Sequence, residues 1–260
     1  MSQPFSSEPF ASREHAIAAL TGKPPPPGPP PKFLELACFD IMTALEAVVA
    51  GASRMELCAN RAVGGTTPKV ADFMDIHIAI FGLPIYVMIR PRGGDFVYTA
   101  AEISRMSSDI ITFKNAGYTG RGADGFVFGV LDANNKVDKE KNTALVRAAA
   151  GRPCTFHRAF DAIPEQDMEA QLEVLIGCGF KALLTSGGKG DAINNKDMLG
   201  KLVKAAGNRI RIIVGGGVRS SNLEALKETG ATWFHSSAIV DGGEAPSPAE
   251  VKAMNEILAK

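Results

Sequence analysis

The sequence lacks an excess of charge of either sign, because 28 lysines and arginines balance 28 aspartates and glutamates. A neutral chain has no net attraction to nucleic acid or to an anionic membrane surface. It also lacks an apolar run near the ~20 residues that a membrane-spanning helix needs. Its first residues lack the charged start and apolar middle of a signal peptide. We therefore expect partners other than nucleic acid or a membrane.

Cysteine is scarce and widely spaced. The four cysteines are Cys38, Cys58, Cys154 and Cys178, and no two of them form a CxxC pair. This spacing argues against a zinc knuckle and against a disulfide framework. A reducing location in the cytoplasm is therefore expected. The oligomeric state is not decided by the sequence, and a homo-oligomer stays open.

Residues 1–32 differ in composition from the rest of the chain. They contain the run PPPPGPPP, which donates almost no backbone hydrogen bonds. The pattern predicts a flexible, disordered or extended tail outside the folded domain, which is expected to span residues 33–260. A ligand for an SH3-type domain is the alternative, because the run also contains PxxP matches.

From Phe33 onward, short apolar runs alternate with longer segments of helical periodicity. The strand candidates are FLELAC, RMELC, PIYVMIR, ADGFVFG, CTFHR, KALLTS, IRIIVGG and ATWFHSS. The helix candidates span residues 40–50, 70–81, 100–116, 139–150, 166–178, 196–206, 221–229 and 248–258. Eight strands, each followed by a helix, predict an α/β fold with a single (β/α)8 TIM barrel. An open doubly wound sheet is less favoured, since CFDIM stands where its glycine fingerprint belongs.

Charged residues inside the predicted strands are the main functional signal. Barrel strands are covered on both faces, so most of their residues should be apolar. The exceptions are Glu35, Glu56, Arg90, His157 and His235. Each alone could be a structural ion pair or a hydrogen-bonded core histidine. Because strand ends converge in a barrel, we expect a polar site at its C-terminal mouth, with these five and Asp161 as catalytic candidates.

The stretch IRPRGGDF ends the third predicted strand with two arginines. Asp95 can hold one guanidinium while the other stays free for an anion, with glycines that let a ligand approach closely. The alternative is a rigid loop in which Glu56 and Asp95 compensate both charges. The residues alone leave these two readings open.

Glycines and hydroxyls follow the later strands. VGGGVRSSNLEAL runs into a helix, whose bare N–H groups favour an anion, and FHSS and LTSGGKGD lie nearby. In barrels the loops after strands seven and eight frequently bind phosphate. The candidate anion-binding residues are Arg92, Arg158, Ser186, Gly216, Gly217 and Ser236.

Seven motifs occur in a familiar order: LELAC, RMELCANRAVGGTTP, MIRPRGGDFVY, TFHRAFD, LTSGG, GGGVR and FHSS. This series, over residues 33–240, resembles the family of the copper homeostasis protein CutC. The resemblance implies a TIM barrel, a role in cytoplasmic copper handling, and Cu(I) held by two cysteines near the ends of the first two strands.

Only one of the family's two cysteine positions is occupied by a cysteine in this sequence. Cys58 in MELC matches the second position, but Ala37 stands where the family commonly has the first cysteine. Cys38 lies one residue later, and one residue in a strand means the opposite face. Cys58 and Cys38 are therefore the candidate copper ligands, and we expect Cys38 to point toward the helices unless the strand ends there.

Two functions follow from this sequence. The resemblance indicates a copper homeostasis protein that binds Cu(I). The cationic residues of the predicted mouth repel a metal cation and suit a small anionic substrate, phosphorylated or not, handled by acid/base chemistry. A purely structural protein would not need so many charged residues in its strands.

Overall fold

The computed structural model describes residues 31–80, 82–117, 121–240, 242–243 and 245–260. Of the predicted tail, only residues 31 and 32 fall within this part. In the described chain, parallel strands pair in sequence order and close into a barrel through the pairing of the first with the last. They are β1 (Phe33–Cys38), β2 (Arg54–Leu57), β3 (Ile85–Met88), β4 (Gly125–Phe128), β5 (Cys154–Phe156), β6 (Ala182–Thr185), β7 (Arg211–Val214) and β8 (Trp233–Ser236). The predicted (β/α)8 barrel is confirmed.

An α-helix follows each strand. The helices are α1 (Ile41–Val49), α2 (Val70–Ala79), α3 (Ala100–Asn115), α4 (Lys139–Ala148), α5 (Met168–Cys178), α6 (Lys196–Ala206), α7 (Ser220–Lys227) and α8 (Pro248–Leu258). Their ends differ from the predicted ones by at most two residues. Within the described ranges, no helix combines the length and the apolar character needed to cross a membrane.

Local sequence determines where these helices begin. Asp40 accepts a hydrogen bond from the Thr43 backbone N–H at 2.8 Å, and the Thr43 hydroxyl accepts one from the Asp40 N–H at 3.1 Å. Thr99 and Glu102 form the same reciprocal cap at α3. Such caps stabilise a helix start by about 1 kcal/mol each. They fix the helices that follow β1 and β3, the strands that carry site residues.

The two faces of the strands build separate cores. Outward side chains such as Leu36 and Phe126 are fully buried against the helices. Inward side chains form smaller clusters inside the barrel, one of which joins Cys58, Met88 and Val127. Since side chains alternate along a strand, residues two positions apart share the barrel interior. This alternation determines which polar residues reach the mouth.

Candidate functional site

A cavity of about 250 Å³ opens at the C-terminal ends of the strands. Its lining includes Ala37, Glu56, Cys58, Met88, Arg90, Phe96, His157, Arg158, Gly216, Gly217, Arg219, His235, Ser236 and Ser237. Most of the predicted site residues are thus brought together. Glu35, Arg92, Asp161, Ser186 and Cys38 lie outside the lining.

Glu35 lies below the cavity and anchors its floor. The strand register places it opposite both Arg54 and His235. Its carboxylate accepts hydrogen bonds from Arg54 Nε at 2.5 Å and contacts His235 Nδ1 at 2.8 Å. Burial alone would raise the pKa of Glu35, but Arg54 and His235 hold it at about 2. Glu35 is therefore an ionised support for His235.

His235 connects this floor to Glu56, which faces the cavity. Its Nε2 lies 3.7 Å from Glu56 Oε2. Burial opposes the charged ring, but the Glu56 and Glu35 carboxylates outweigh it and raise the pKa of His235. Burial also raises the pKa of Glu56. The chain Glu35–His235–Glu56 can therefore hold and release a proton at the cavity wall.

His157 is held rigidly on another side of the cavity. It lies one residue past the end of β5 and caps the short 3-10 helix Arg158–Ala162. The backbone N–H of Ala159 donates to its Nδ1 at 3.3 Å, and the ring packs edge-on against Phe96. Burial and then the charge of Arg90 lower the pKa of His157 to about 3. The imidazole is therefore neutral at neutral pH.

Arg90 lies two residues past the end of β3 and lines the cavity. Its Nη1 donates to the carbonyls of Val63, Gly64 and Gly65 at 3.0, 3.3 and 3.1 Å. Its Nη2 donates to the carbonyl of Gly94 at 2.9 Å. No carboxylate pairs with Arg90 among the described residues. The sequence alternative in which Glu56 compensates this charge is therefore wrong.

Arg92 points away from the cavity. It pairs with Glu102 at 2.6 Å and with Asp95 at 2.9 Å. The prediction that Asp95 holds one of the two arginines is confirmed, and Arg92 is that arginine. Both of its partners lie on the outer side of the loop, so the structure does not bring Arg92 to the predicted anion site.

Arg158 enters the cavity from the loop after β5. Its Nε pairs with Asp161 Oδ2 at 2.7 Å, and its Nη2 donates to Ser186 Oγ at 3.0 Å. The Ser186 hydroxyl in turn donates to Asp161 at 2.7 Å. Asp161 and Ser186 were predicted to face a ligand, but both are buried and support Arg158 from behind.

The first backbone N–H of α7, predicted to be bare and to favour an external anion, is bonded within the protein. The carboxylate of Glu250, in α8, accepts hydrogen bonds from the Ser220 backbone N–H at 2.6 Å and from its hydroxyl at 2.7 Å. An internal anion therefore occupies this helix end. The loop retains Gly216 and Gly217 in the cavity wall, both in the left-handed region that favours glycine.

Arg219 supplies the positive charge on this side, and it is not among the site residues predicted from the sequence. Its guanidinium donates to Ser236 Oγ at 3.1 Å, to Ser237 Oγ at 3.2 Å and to the carbonyl of Ile239 at 2.9 Å. In the described ranges it has no carboxylate partner. Its sequence signals were its place within the candidate anion loop VGGGVRSSNLEAL and within the motif GGGVR.

Comparison with known proteins identifies the family. The CutC family model matches residues 32–240. A CutC family protein of Porphyromonas gingivalis is 42% identical over 207 residues, which cover 78% of this chain and 79% of that protein. The human copper homeostasis protein cutC homolog is 40% identical over 208 residues, covering 79% of this chain and 73% of that one. The chain belongs to the CutC family.

A solved CutC structure agrees with this assignment. The copper homeostasis protein CutC from Streptococcus agalactiae superposes with a TM-score of 0.71 at 36% identity, covering 79% of this chain and 98% of that one. The match supports the barrel through an experimental structure of a CutC family member.

The cysteines do not fit the two-thiolate copper site that the family resemblance implied. Cys58 Sγ lines the cavity, 3.6 Å from Glu56 Oε2. Cys38 Sγ faces the carbonyl of Thr43 at 3.6 Å, in the core between strands and helices. Burial raises the pKa of both thiols. Across the described residues, no three His, Cys, Asp or Glu side chains are grouped to hold a metal ion.

Proposed function

We propose that the protein takes part in copper homeostasis, the role that the name of its human relative carries, and that it does so in the cytoplasm. Family membership over residues 32–240 supports this proposal, because that range includes every residue of the cavity. The four cysteines are also unpaired and buried, which is the state expected of thiols in a reducing compartment.

Within this role, Cu(I) would be a cargo held through Cys58, with Met88 as a second soft ligand. The two side chains meet beside Gly65, where an added Cβ would lie 3.3 Å from Cys58 Sγ and 3.8 Å from Met88 Cε. Burial raises the pKa of Cys58 and so opposes the thiolate that Cu(I) needs. We therefore expect a weaker site than two thiolates would form.

Titration against a competing Cu(I) chelator tests this cargo proposal. Cys58→Ala should weaken Cu(I) binding about tenfold or more, equivalent to ~1.4 kcal/mol. Cys38→Ala is the matched control and should leave the affinity nearly unchanged, because its thiol faces the helices. Equal losses would mean that both thiols bind the ion. No loss from either variant would remove direct copper binding and put the second function first.

A second function, an enzyme that acts on a small anionic molecule, is favoured by the site geometry. The observation that carries it is the chain Glu35–His235–Glu56, which supplies an acid/base group beside unpaired arginines. Arg90 and Arg219 attract an anion and repel a metal cation.

Crystals soaked in sulfate test the anion site of this second function. We expect sulfate near Arg90, Gly216, Gly217 or Ser236. An empty cavity at high sulfate concentration would count against the enzyme. Sulfate at Arg92 alone would show that the rim, and not the cavity, attracts anions.

A further inference from the structure

Three buried polar atoms of the cavity lining have no hydrogen-bond partner among the described residues. They are Glu56 Oε1, Arg90 Nε and His157 Nε2. A buried polar atom without a partner costs about 1–3 kcal/mol, so most such atoms in folded proteins are paired. Because all three atoms belong to residues that line one cavity, a bound ligand can supply the missing partners.

The hydrogen bond at the other ring nitrogen determines what His157 offers. Since the Ala159 N–H donates to Nδ1, that nitrogen must carry a lone pair. A neutral imidazole has one N–H, which then lies on Nε2. His157 therefore offers its ligand a hydrogen-bond donor without a charge, and its ligand must present an acceptor there.

The surroundings of His157 fix the direction of this donor. The ring packs against Phe96 and Phe156 with centroid distances of 5.0 and 5.9 Å. Gly129 leaves room for it, since an added Cβ there would lie 2.7 Å from His157 Nδ1. A ring held on these sides has little freedom to turn its Nε2 elsewhere.

The charges of the cavity define the other end of the ligand. Arg90 and Arg219 bond only to carbonyl and hydroxyl oxygens in the described part of the chain. Arg158 shares its charge with Asp161. Two positive charges therefore lack an anion, and Arg90 is buried. A carboxylate or phosphate on the ligand would compensate them.

We propose that the cavity binds a small carbonyl compound with an anionic group, whose carbonyl oxygen accepts a hydrogen bond from His157 Nε2 while Arg90 and Arg219 hold the anion. This proposal rests on the second function above and names its substrate class. A fixed neutral imidazole is suited to polarise a carbonyl, because it donates a hydrogen bond without first gaining a proton. The carboxylate and phosphate forms share this chemistry.

Ligand-observed NMR titration tests the proposal by measuring the affinities of two matched pairs of probes. One pair is pyruvate and propionate, and the other is dihydroxyacetone phosphate and 3-hydroxypropyl phosphate. The two members of a pair have the same anionic group. The first carries a carbonyl group where the second carries CH2. In at least one pair, the carbonyl compound should bind about tenfold more tightly, as expected for one hydrogen bond in a buried site. The pair that responds tells which anion the cavity prefers.

Variants separate the donor from the anion site. His157→Phe should abolish the difference in affinity within the responding pair by weakening the carbonyl compound. The affinity for the CH2 compound should stay the same. His157→Gln, which keeps an N–H donor, should retain part of the difference. Arg219→Met should lower the affinity for both members of the pair by the same factor.

Two outcomes would overturn the proposal, and they differ in whether the second function is rejected with it. Equal binding of both members to the wild-type protein, unaffected by His157→Phe, would reject the carbonyl and keep the anion site. Absence of binding by all four probes, or binding insensitive to Arg219→Met, would reject the second function together with the substrate class.

Discussion

Arginines at the two ends of the barrel interior are compensated in different ways. At the floor, Arg54 pairs with the Glu35 carboxylate and lies over the rings of Tyr86 and Trp233, 3.9 and 4.5 Å from their centroids. At the mouth, Arg90 and Arg219 donate hydrogen bonds only to neutral oxygens of the described chain, and Arg90 also lies over the Phe96 ring, 4.7 Å from its centroid. Arg54 therefore has a carboxylate as counter-charge, whereas Arg90 and Arg219 have none in the described chain.

This difference is the reason for proposing that a ligand binds at the mouth. A buried charge without a counter-charge is costly, and an anionic ligand would supply the missing counter-charge. Arg54 stabilises the fold by neutralising Glu35. Arg90 stays in place through hydrogen bonds to backbone carbonyls, which position the guanidinium and leave its charge available to a ligand.

The largest expected effect on stability comes from removing the ion pair at the floor. Arg54→Met would leave Glu35 with His235 as its only charged partner, and we expect the free energy of unfolding to fall by about 3 kcal/mol. Urea unfolding measures this loss. The double variant Glu35→Gln, Arg54→Met removes both charges and should recover much of it. A loss below about 1 kcal/mol in the single variant would show that the pair contributes no more than an exposed one.

A smaller effect should appear at the mouth as a dependence on pH. The pKa of His157 is lowered from 6.5 to about 3, so the unfolded chain binds this proton more readily. Its contribution to stability is complete above pH 6.5 and declines as the pH falls toward 3. Between pH 7 and pH 5, the wild-type protein should lose about 2 kcal/mol more than His157→Gln. Equal losses would contradict a neutral, buried His157.

The smallest effect is expected at the rim. Arg92→Gln removes the pairs with Asp95 and Glu102, which lie at the exposed side of the loop. We expect a slight change in the urea midpoint and no change in sulfate affinity, because Arg92 lies outside the cavity. Arg90→Gln is the comparison and should lower sulfate affinity. Equal sulfate affinities in the two variants would remove the distinction between rim and cavity.

Much of the fold could be predicted because the sequence alternates between two periodicities. Strands with a period of two and helices with capping residues gave the element order, and closure of the barrel brought Glu56, Arg90, His157 and His235 to one cavity. The same alternation placed Cys38 on the helix side, as observed. It also placed Arg54 on the face of Glu56, a signal that the sequence analysis did not use.

The remaining features depend on contacts that no local pattern encodes. β3 ends at Met88, so a period of two does not tell where Arg92 points. The cap of Ser220 comes from Glu250, 30 residues further along the chain. Asp161 and Ser186 turned inward to support Arg158 because two loops meet behind it. Such details depend on how loops pack, and neighbouring residues alone do not determine that.

Glu250 in the last helix occupies hydrogen-bond donors near the mouth that could otherwise bind an anion. α8 lies beyond the range that the family model covers, and none of its described residues lines the cavity. Its carboxylate nevertheless occupies both donors of Ser220, next in sequence to Arg219. A chain shortened before Pro248 would free these donors and offer a second place for an anion. Although α8 lies outside the cavity lining, it thus determines which donors near the mouth stay free.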